Sequence, residues 1–150
     1  MSGITSYAYP GVGIFVREHF WYSQANRHGD YVTCAGQGGW KPDTQDPGAA
    51  IADETLIPKD VGEEIDQAFA NVQHALEHAG SKGWSQVYKV LTLSTSIPEQ
   101  HEHIVRNLKK WQPDEKRATW TEVGVAHLGL PTMRFEIEVE AYDPEGAKRA

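Results

Sequence analysis

From Thr132 to Tyr142 the chain alternates without a break, setting Met133, Phe135, Ile137, Val139 and Ala141 against Arg134, Glu136, Glu138 and Glu140. Successive residues of a strand face opposite ways, so this period of two predicts one apolar face and one face bearing three carboxylates. From Thr119 to His127 a second run does the same. Val123 and Val125 share a face with Thr119 and Thr121, while Trp120, Glu122, Gly124 and Ala126 share the other. The two runs are joined through Gly129-Leu130-Pro131 and are expected to pair with each other. An apolar sheet face needs a second layer to cover it.

Two amphipathic helices can supply that layer. Asp60 and Glu63 form a capping-box pattern, after which Ile65, Phe69, Val72 and Leu76 recur at helical spacing until Gly80. Ser96, Pro98 and Glu99 open a second helix with Ile104, Leu108 and Trp111 on one face, stopped by Pro113. Between them, Ser85 to Thr95 is apolar and β-branched, which predicts a strand. Upstream, Phe20 to Ala25 and Tyr31 to Ala35 flank Arg27-His28-Gly29-Asp30 and predict a hairpin.

The resulting order, ββ-α-β-α-ββ, predicts an α+β fold with a mostly antiparallel sheet and both helices on one face. Trp120 and the glutamates are then expected together on the uncovered face, which must meet solvent or another subunit. Residues 1–13 read as an extended arm, residues 143–150 as a C-terminal tail, and Gly36 to Lys59, rich in Gly, Pro and Asp, as a candidate functional loop. With 150 residues and five tryptophans, a single domain over 1–150 can bury a core.

The formal net charge is −7 with scattered basic residues, which disfavours a nucleic-acid partner. The single cysteine, Cys34, has no internal disulfide partner, and it reads as a buried strand residue more readily than as a nucleophile. Met1-Ser2-Gly3 opens neither a signal-peptide core nor a transit segment, so the cytosol is the expected compartment. No apolar run approaches the roughly 20 residues needed to cross a bilayer.

The acidic row is the first candidate for chemistry. Glu136, Glu138 and Glu140 lie about 7 Å apart along one strand face. They form either a solvated surface or, if that face is covered, a set of buried carboxyls suited to proton transfer. Among the seven histidines, His74 and His78 have chelating spacing but lack the adjacent glutamate of a zinc-protease helix, and His101 and His103 point apart. No metal site is therefore predicted. GxSxG, Walker and GxGxxG motifs are absent, and Gly36-Gln37-Gly38-Gly39 lacks the lysine of a phosphate loop, so no cofactor is implied.

Several separate segments resemble the RidA/YjgF family. They are Tyr22-Ser23-Gln24-Ala25 before a Gly-Asp turn, Cys34-Ala35-Gly36-Gln37, the helix ending Ala79-Gly80, Val87-Tyr88-Lys89-Val90, Val123-Gly124-Val125-Ala126-His127-Leu128, and Phe135-Glu136-Ile137-Glu138. Together they run in family order from Tyr22 to Tyr142. The resemblance implies a chorismate-mutase-like homotrimer with a small-molecule cleft between each pair of subunits. Deaminases of this family hydrolyse enamines and imines derived from amino acids, and other members carry the label L-PSP endoribonuclease or translation inhibitor.

Residue by residue, the resemblance gives Tyr22 the role of pocket tyrosine and Glu136 that of water-positioning glutamate. It places Ala35, Gly36 and Gln37 in the segment whose backbone completes the pocket. Trp120 stands where the deaminases carry a substrate-binding arginine, with Glu122 on the same cleft face, and Val105 stands where many members have a helix asparagine. Arg117, three residues before Trp120, is expected on the opposite face. Losing the arginine removes a charge-assisted fork worth about 1.5 to 3 kcal/mol to a carboxylate substrate. A cleft lined by Trp120, Tyr22 and Glu122 should prefer flat neutral or cationic ligands; equally, Trp120 could plug the pocket. The resemblance thus leaves three readings: altered imine or enamine hydrolysis, a non-catalytic binding or chaperone-like trimer, and ribonuclease or translation inhibition.

Overall fold

Ile65, Ala68, Phe69, Val72, Ala75 and Leu76 are all buried along one side of a long helix, so the stripe seen in the sequence is what seats that helix on the sheet. The computed structural model describes residues 3–150. In chain order the elements are β1 (Ile4–Tyr7), α1 (Val12–His19), β2 (Ala25–His28), β3 (Tyr31–Gln37), α2 (Pro47–Ala52), α3 (Val61–His78), β4 (Val87–Ser94), α4 (Ile97–Trp111), β5 (Thr119–Gly124), β6 (Phe135–Tyr142) and α5 (Pro144–Ala147). Asp60 caps α3 by accepting from the Glu63 amide at 2.9 Å, and Ser96 precedes α4, whose second residue is Pro98.

The strands form one six-stranded sheet in the order β1-β2-β3-β6-β4-β5. All pairs are antiparallel except β4 with β5. The sheet is therefore α+β and mostly antiparallel, as expected. β6 does not pair with β5, however: it inserts between β3 and β4, and β5 lies parallel to β4 on the outer edge. The reason is the helix between β4 and β5. A strand, a helix and a strand in succession form a crossover, which returns the chain in parallel.

That pairing moves Trp120. Cross-strand partners point to the same face, and Trp120 pairs with Val90 and Glu122 with Thr92, both core residues opposite Val139 and Ile137. Trp120 and Glu122 thus lie on the helix-covered face. Glu136, Glu138 and Glu140 lie on the other, beside Leu93 and Leu91. The sequence-based placement of Trp120 with the glutamates is corrected accordingly.

The N-terminal third also differs. The stretch read as an arm contains β1, which extends the sheet, and leads into α1 through Gly11, whose φ of 80° and 2.1 Å approach of an added Cβ to the Pro42 oxygen exclude other residues. Phe20 to Ser23 is not a strand: Trp21 has a φ of 64°, which breaks extended backbone. The loop from Gly36 to Lys59 folds locally into α2, capped by Asp46 accepting from the Ala49 amide at 3.0 Å. Residues 83–86 form a 3-10 turn before β4, and the strands predicted over 119–127 and 132–142 are shorter. In the tail, α5 is pinned by Asp143, which is buried and bonded to Arg27 at 2.7 Å.

Candidate functional site

Glu136 is placed by the strap that begins β6. The buried Glu64 carboxylate accepts from the Arg134 amide at 2.7 Å, the Phe135 amide at 3.3 Å and Arg134 Nε at 2.8 Å, fixing the two residues before Glu136. Opposite, β3 carries a bulge between Cys34 and Gln37. This brings Gly36 under the Glu136 carboxylate, where an added Cβ would stand 2.0 Å from Oε1. A residue without a Cβ leaves room for the acid to lie across the backbone here; any larger one would make the Glu136 side chain move.

Tyr22 and Glu136 are the polar members of a cavity of about 210 Å³, otherwise walled by Phe15, Phe20, Trp40, Ile51, Leu56 and Leu130 among others. Burial raises the Glu136 carboxyl above its ordinary range, and the nearby Glu138 charge raises it further. Burial likewise raises the Tyr22 phenol, opposed by the Gln24 amide and reinforced by the Glu136 charge. Among the described residues, none that lines the cavity is a lysine, arginine or histidine.

A chain of buried hydrogen bonds supports the wall. Trp40 Nε1 donates to Tyr9 Oη at 3.0 Å, Tyr9 donates to Gln37 Oε1 at 3.0 Å, and Gln37 Nε2 donates to Gln24 Oε1 at 2.6 Å. Because an indole N–H can only donate, this chain has one direction and fixes both amides. The side chain of Gln37, a predicted ligand contact, is spent here. Ala35 is engaged as well, its N–H donating to the Gln24 oxygen at 2.8 Å and its oxygen accepting from Gln37 at 3.1 Å. These residues shape the wall more than they face a ligand.

The predicted site residues therefore separate into two clusters. Glu136 and Tyr22 meet at the cavity, with Gly36 against the Glu136 side chain. Trp120 and Glu122 sit at the outer sheet edge, where Trp120 Nε1 donates to Thr92 Oγ1 at 2.9 Å and His101 Nδ1 approaches Glu122 at 2.8 Å. Within one subunit Tyr22 lines the Glu136 cavity, whereas Trp120 lines a separate groove. Arg117 lies just before β5 begins, so strand alternation does not govern it, and it lines one groove with Trp120 and Val105. His74 packs against Tyr9 with ring centroids 4.7 Å apart, and His78 lies edge-on to Tyr7. Burial pushes the Cys34 thiol up to about 12, which leaves it inert as a nucleophile.

Sequence reasoning missed the cavity walls from α1 and α2, and it missed His101. The apolar spacing of Val12, Phe15 and Val16 and the Asp46-Pro47 cap were the available signals for the walls. No helix is long and apolar enough, among the described residues, to cross a membrane.

Comparison with known proteins agrees with this architecture. The structural-genomics protein YJGH superposes with a TM-score of 0.76 at 27% identity, covering 95% of this chain and 98% of that one. A member of the YjgF/YER057c/UK114 family from Mycobacterium tuberculosis gives 0.70 at 21% identity, covering 93% and 98%. A Rid-family protein from Yersinia pestis gives 0.68 at 23%, covering 81% and 86%. The last two likenesses speak for the fold alone. No curated protein matches the sequence. The family model described as Endoribonuclease L-PSP matches residues 18–143, from the end of α1 through β6, and with the fold it shows that the chain belongs to the RidA/YjgF family.

Proposed function

We propose that the protein is a RidA-like homotrimer that binds a small organic molecule and hydrolyses an imine or enamine at Glu136. The observation that carries this reading is a desolvated carboxyl of raised pKa beside a tyrosine in an apolar cavity. Ionised Glu136 takes a proton from water as it adds to the C=N carbon and returns it to nitrogen; the hydroxyl proton of the resulting carbinolamine then passes through Glu136 to nitrogen as the C–N bond breaks, releasing ammonia or amine and leaving the carbonyl, and an enamine enters this sequence after protonation at carbon. Tyr22 orients the reacting group by hydrogen bonding. With no cation among the lining residues, a carboxylate in the cavity would face Glu136 unpaired, so the preferred substrate is apolar around its C=N group. In the trimer, the β5 edge of one subunit would border the cavity of the next, reuniting Trp120 with Glu136.

The test uses purified protein and 2-aminoacrylate released from serine, beside imines of apolar aldehydes. Apolar imines should be hydrolysed faster than 2-aminoacrylate, and Glu136→Gln should lose at least about 100-fold in rate. Turnover of 2-aminoacrylate comparable with an arginine-bearing relative would sink the carboxylate-free preference. Saturable binding without turnover, unchanged by Glu136→Ala, would favour the non-catalytic binding module. Ribonuclease activity is the weakest reading, since the cavity offers no histidine and the chain carries a net charge of −7; RNA binding that is absent or insensitive to salt would retire it.

A further inference from the structure

The buried hydrogen bonds behind the cavity run one way, and the last of them leaves a donor without a partner. An indole N–H only donates, so Trp40 gives its hydrogen to Tyr9, and the single Tyr9 hydrogen passes on to Gln37 Oε1 at 3.0 Å. Burial holds the Tyr9 phenol well above its ordinary range, so that hydrogen stays in place at neutral pH. Gln37 Nε2 then gives one hydrogen to the Ala35 oxygen at 3.1 Å and the other to Gln24 Oε1 at 2.6 Å. A backbone carbonyl only accepts, so the Gln37 amide is fixed from both ends and cannot turn over.

Gln24 is held as firmly. Its backbone N–H donates to the Tyr7 oxygen at 2.9 Å, its backbone oxygen accepts from Ala35 at 2.8 Å, and its side-chain oxygen faces Gln37. The side-chain nitrogen must therefore point the other way. Nε2 has no hydrogen-bond partner among the described residues, although Gln24 is only 1% exposed, and a buried donor without an acceptor is rare in a folded protein. Burial pushes the Tyr22 phenol up, and the Gln24 amide is the one group that opposes it, which it does by presenting N–H to the phenol oxygen. A phenol whose oxygen faces a donor turns its own hydrogen away, and Tyr22 lines the cavity of about 210 Å³. That hydrogen is not spent on Glu136, to which Tyr22 makes no hydrogen bond among the described residues. With the Trp40 N–H given to Tyr9, the lining side chains offer a ligand one neutral donor, Tyr22, and one carboxylate, Glu136.

We propose that Gln24 sets the hydrogen-bond polarity of the site: it turns the Tyr22 O–H into the cavity, so the group bound there must bring an acceptor. This rests on the reading of the cavity as an imine site and narrows its substrate class. The nitrogen of a neutral imine keeps a lone pair in the plane of the C=N bond and accepts from Tyr22. An enamine delocalises that lone pair into its C=C bond and presents N–H instead, which meets the Tyr22 hydrogen head-on. The substrate is thus an apolar imine taken up as such, and the enamine tautomer is bound poorly. Gln24 touches no reacting atom and acts through Tyr22.

The probes are acetophenone, whose carbonyl oxygen accepts, and α-methylstyrene, the same frame with CH2 in place of that oxygen. NMR titration gives the ratio of their dissociation constants, which cancels the difference in apolar surface between proteins. Gln24→Glu keeps an acceptor for Gln37 and offers its second oxygen to Tyr22, drawing the O–H out of the cavity. The preference for acetophenone should fall roughly 5- to 10-fold. Gln24→Met removes the donor without adding an acceptor; it serves if Gln24→Glu does not fold and should give a smaller loss. In a Tyr22→Phe background neither change should move the ratio, which separates polarity from a packing defect. An unchanged ratio in whichever Gln24 variant folds, an equal loss with and without the Tyr22 hydroxyl, or no saturable binding of acetophenone overturns the proposal. Binding is read apart from turnover. Probes separated as expected by a protein that hydrolyses no imine uphold the polarity and sink the reaction, whereas hydrolysis with an unchanged ratio does the reverse.

Discussion

Gly36 and Glu136 are a pair in which the smaller residue decides where the larger can go. Replacing Gly36 by alanine would put a methyl group 2.0 Å from Glu136 Oε1, so the carboxylate must leave its place across the bulge. Displacement toward water removes the burial that raises its pKa. In Gly36→Ala the Glu136 carboxyl should therefore titrate nearer the ordinary value of about 4.3, read by carbon-13 NMR, and imine hydrolysis should fall with it. A Glu136 titration identical to wild type would show that Gly36 does not shape the site. Glu136, Tyr22 and Gly36 were legible in the sequence because they stand in motifs shared with the family. Trp120 was legible as an identity and misplaced as a position. Alternation assigns residues to two faces within one strand, but only the pairing partner says which of them lies under the helices, and β5 pairs with β4.

At the scale of elements, Arg27 and Asp143 join pieces that are distant in sequence. Arg27 on β2 bonds Asp143 Oδ2 at 2.7 Å and the Ala79 oxygen, just past α3, at 3.1 Å, while Asp143 also accepts from Gln86 at 2.8 Å and caps α5. Asp143→Asn would leave a buried guanidinium short of its counter-charge, a change that costs about 3 to 5 kcal/mol, measurable by urea denaturation at neutral pH. Burial opposes the charge of Asp143, but its bonds to Arg27, Gln86 and Gly146 hold its pKa below the ordinary aspartate value. Its stabilising contribution is thus present above the unfolded pKa of about 3.9 and is lost as pH falls through the lower folded value. Wild type and Asp143→Asn should converge in stability under acid; a gap that persists below that range would refute the assignment. Glu64 has the opposite sign, because burial raises its pKa despite Arg134, so its contribution diminishes as pH rises through the folded value. The long elements α3, α4 and β6 were readable since their periodicity extends over several turns or alternations. α1 and α2, with 8 and 6 residues, are too short to hold alone and form because the cavity wall closes on them; the spacing of Val12, Phe15 and Val16 and the Asp46-Pro47 cap are signals of one or two turns only.

The whole molecule leaves one sheet face uncovered. Leu91, Leu93 and Val123 lie on it half-buried, Tyr31 and Tyr142 are 48% and 47% exposed with ring centroids 5.4 Å apart, and the acidic row runs between them. A sheet with helices on one side and a mixed apolar surface on the other is half of a packing arrangement, and association of three copies would complete it. The proposed trimer then makes a measurable claim. Sedimentation of the wild type should give one species at three times the chain mass of 16.7 kDa. Leu91→Lys is the discriminating variant: its side chain projects from the uncovered face opposite Glu138, so the isolated subunit should tolerate it and even gain a cross-strand charge pair. In an interface the same ammonium would be desolvated in three copies around one axis, a cost that burial of the remaining apolar surface would not offset. Leu91→Lys should accordingly sediment as a monomer with an unchanged circular dichroism spectrum. If hydrolysis depends on a cleft closed by a neighbouring subunit, it should disappear along with the trimer. A wild-type chain that stays monomeric at tens of micromolar, or a Leu91→Lys trimer, would place the interface elsewhere and leave the acidic face to solvent.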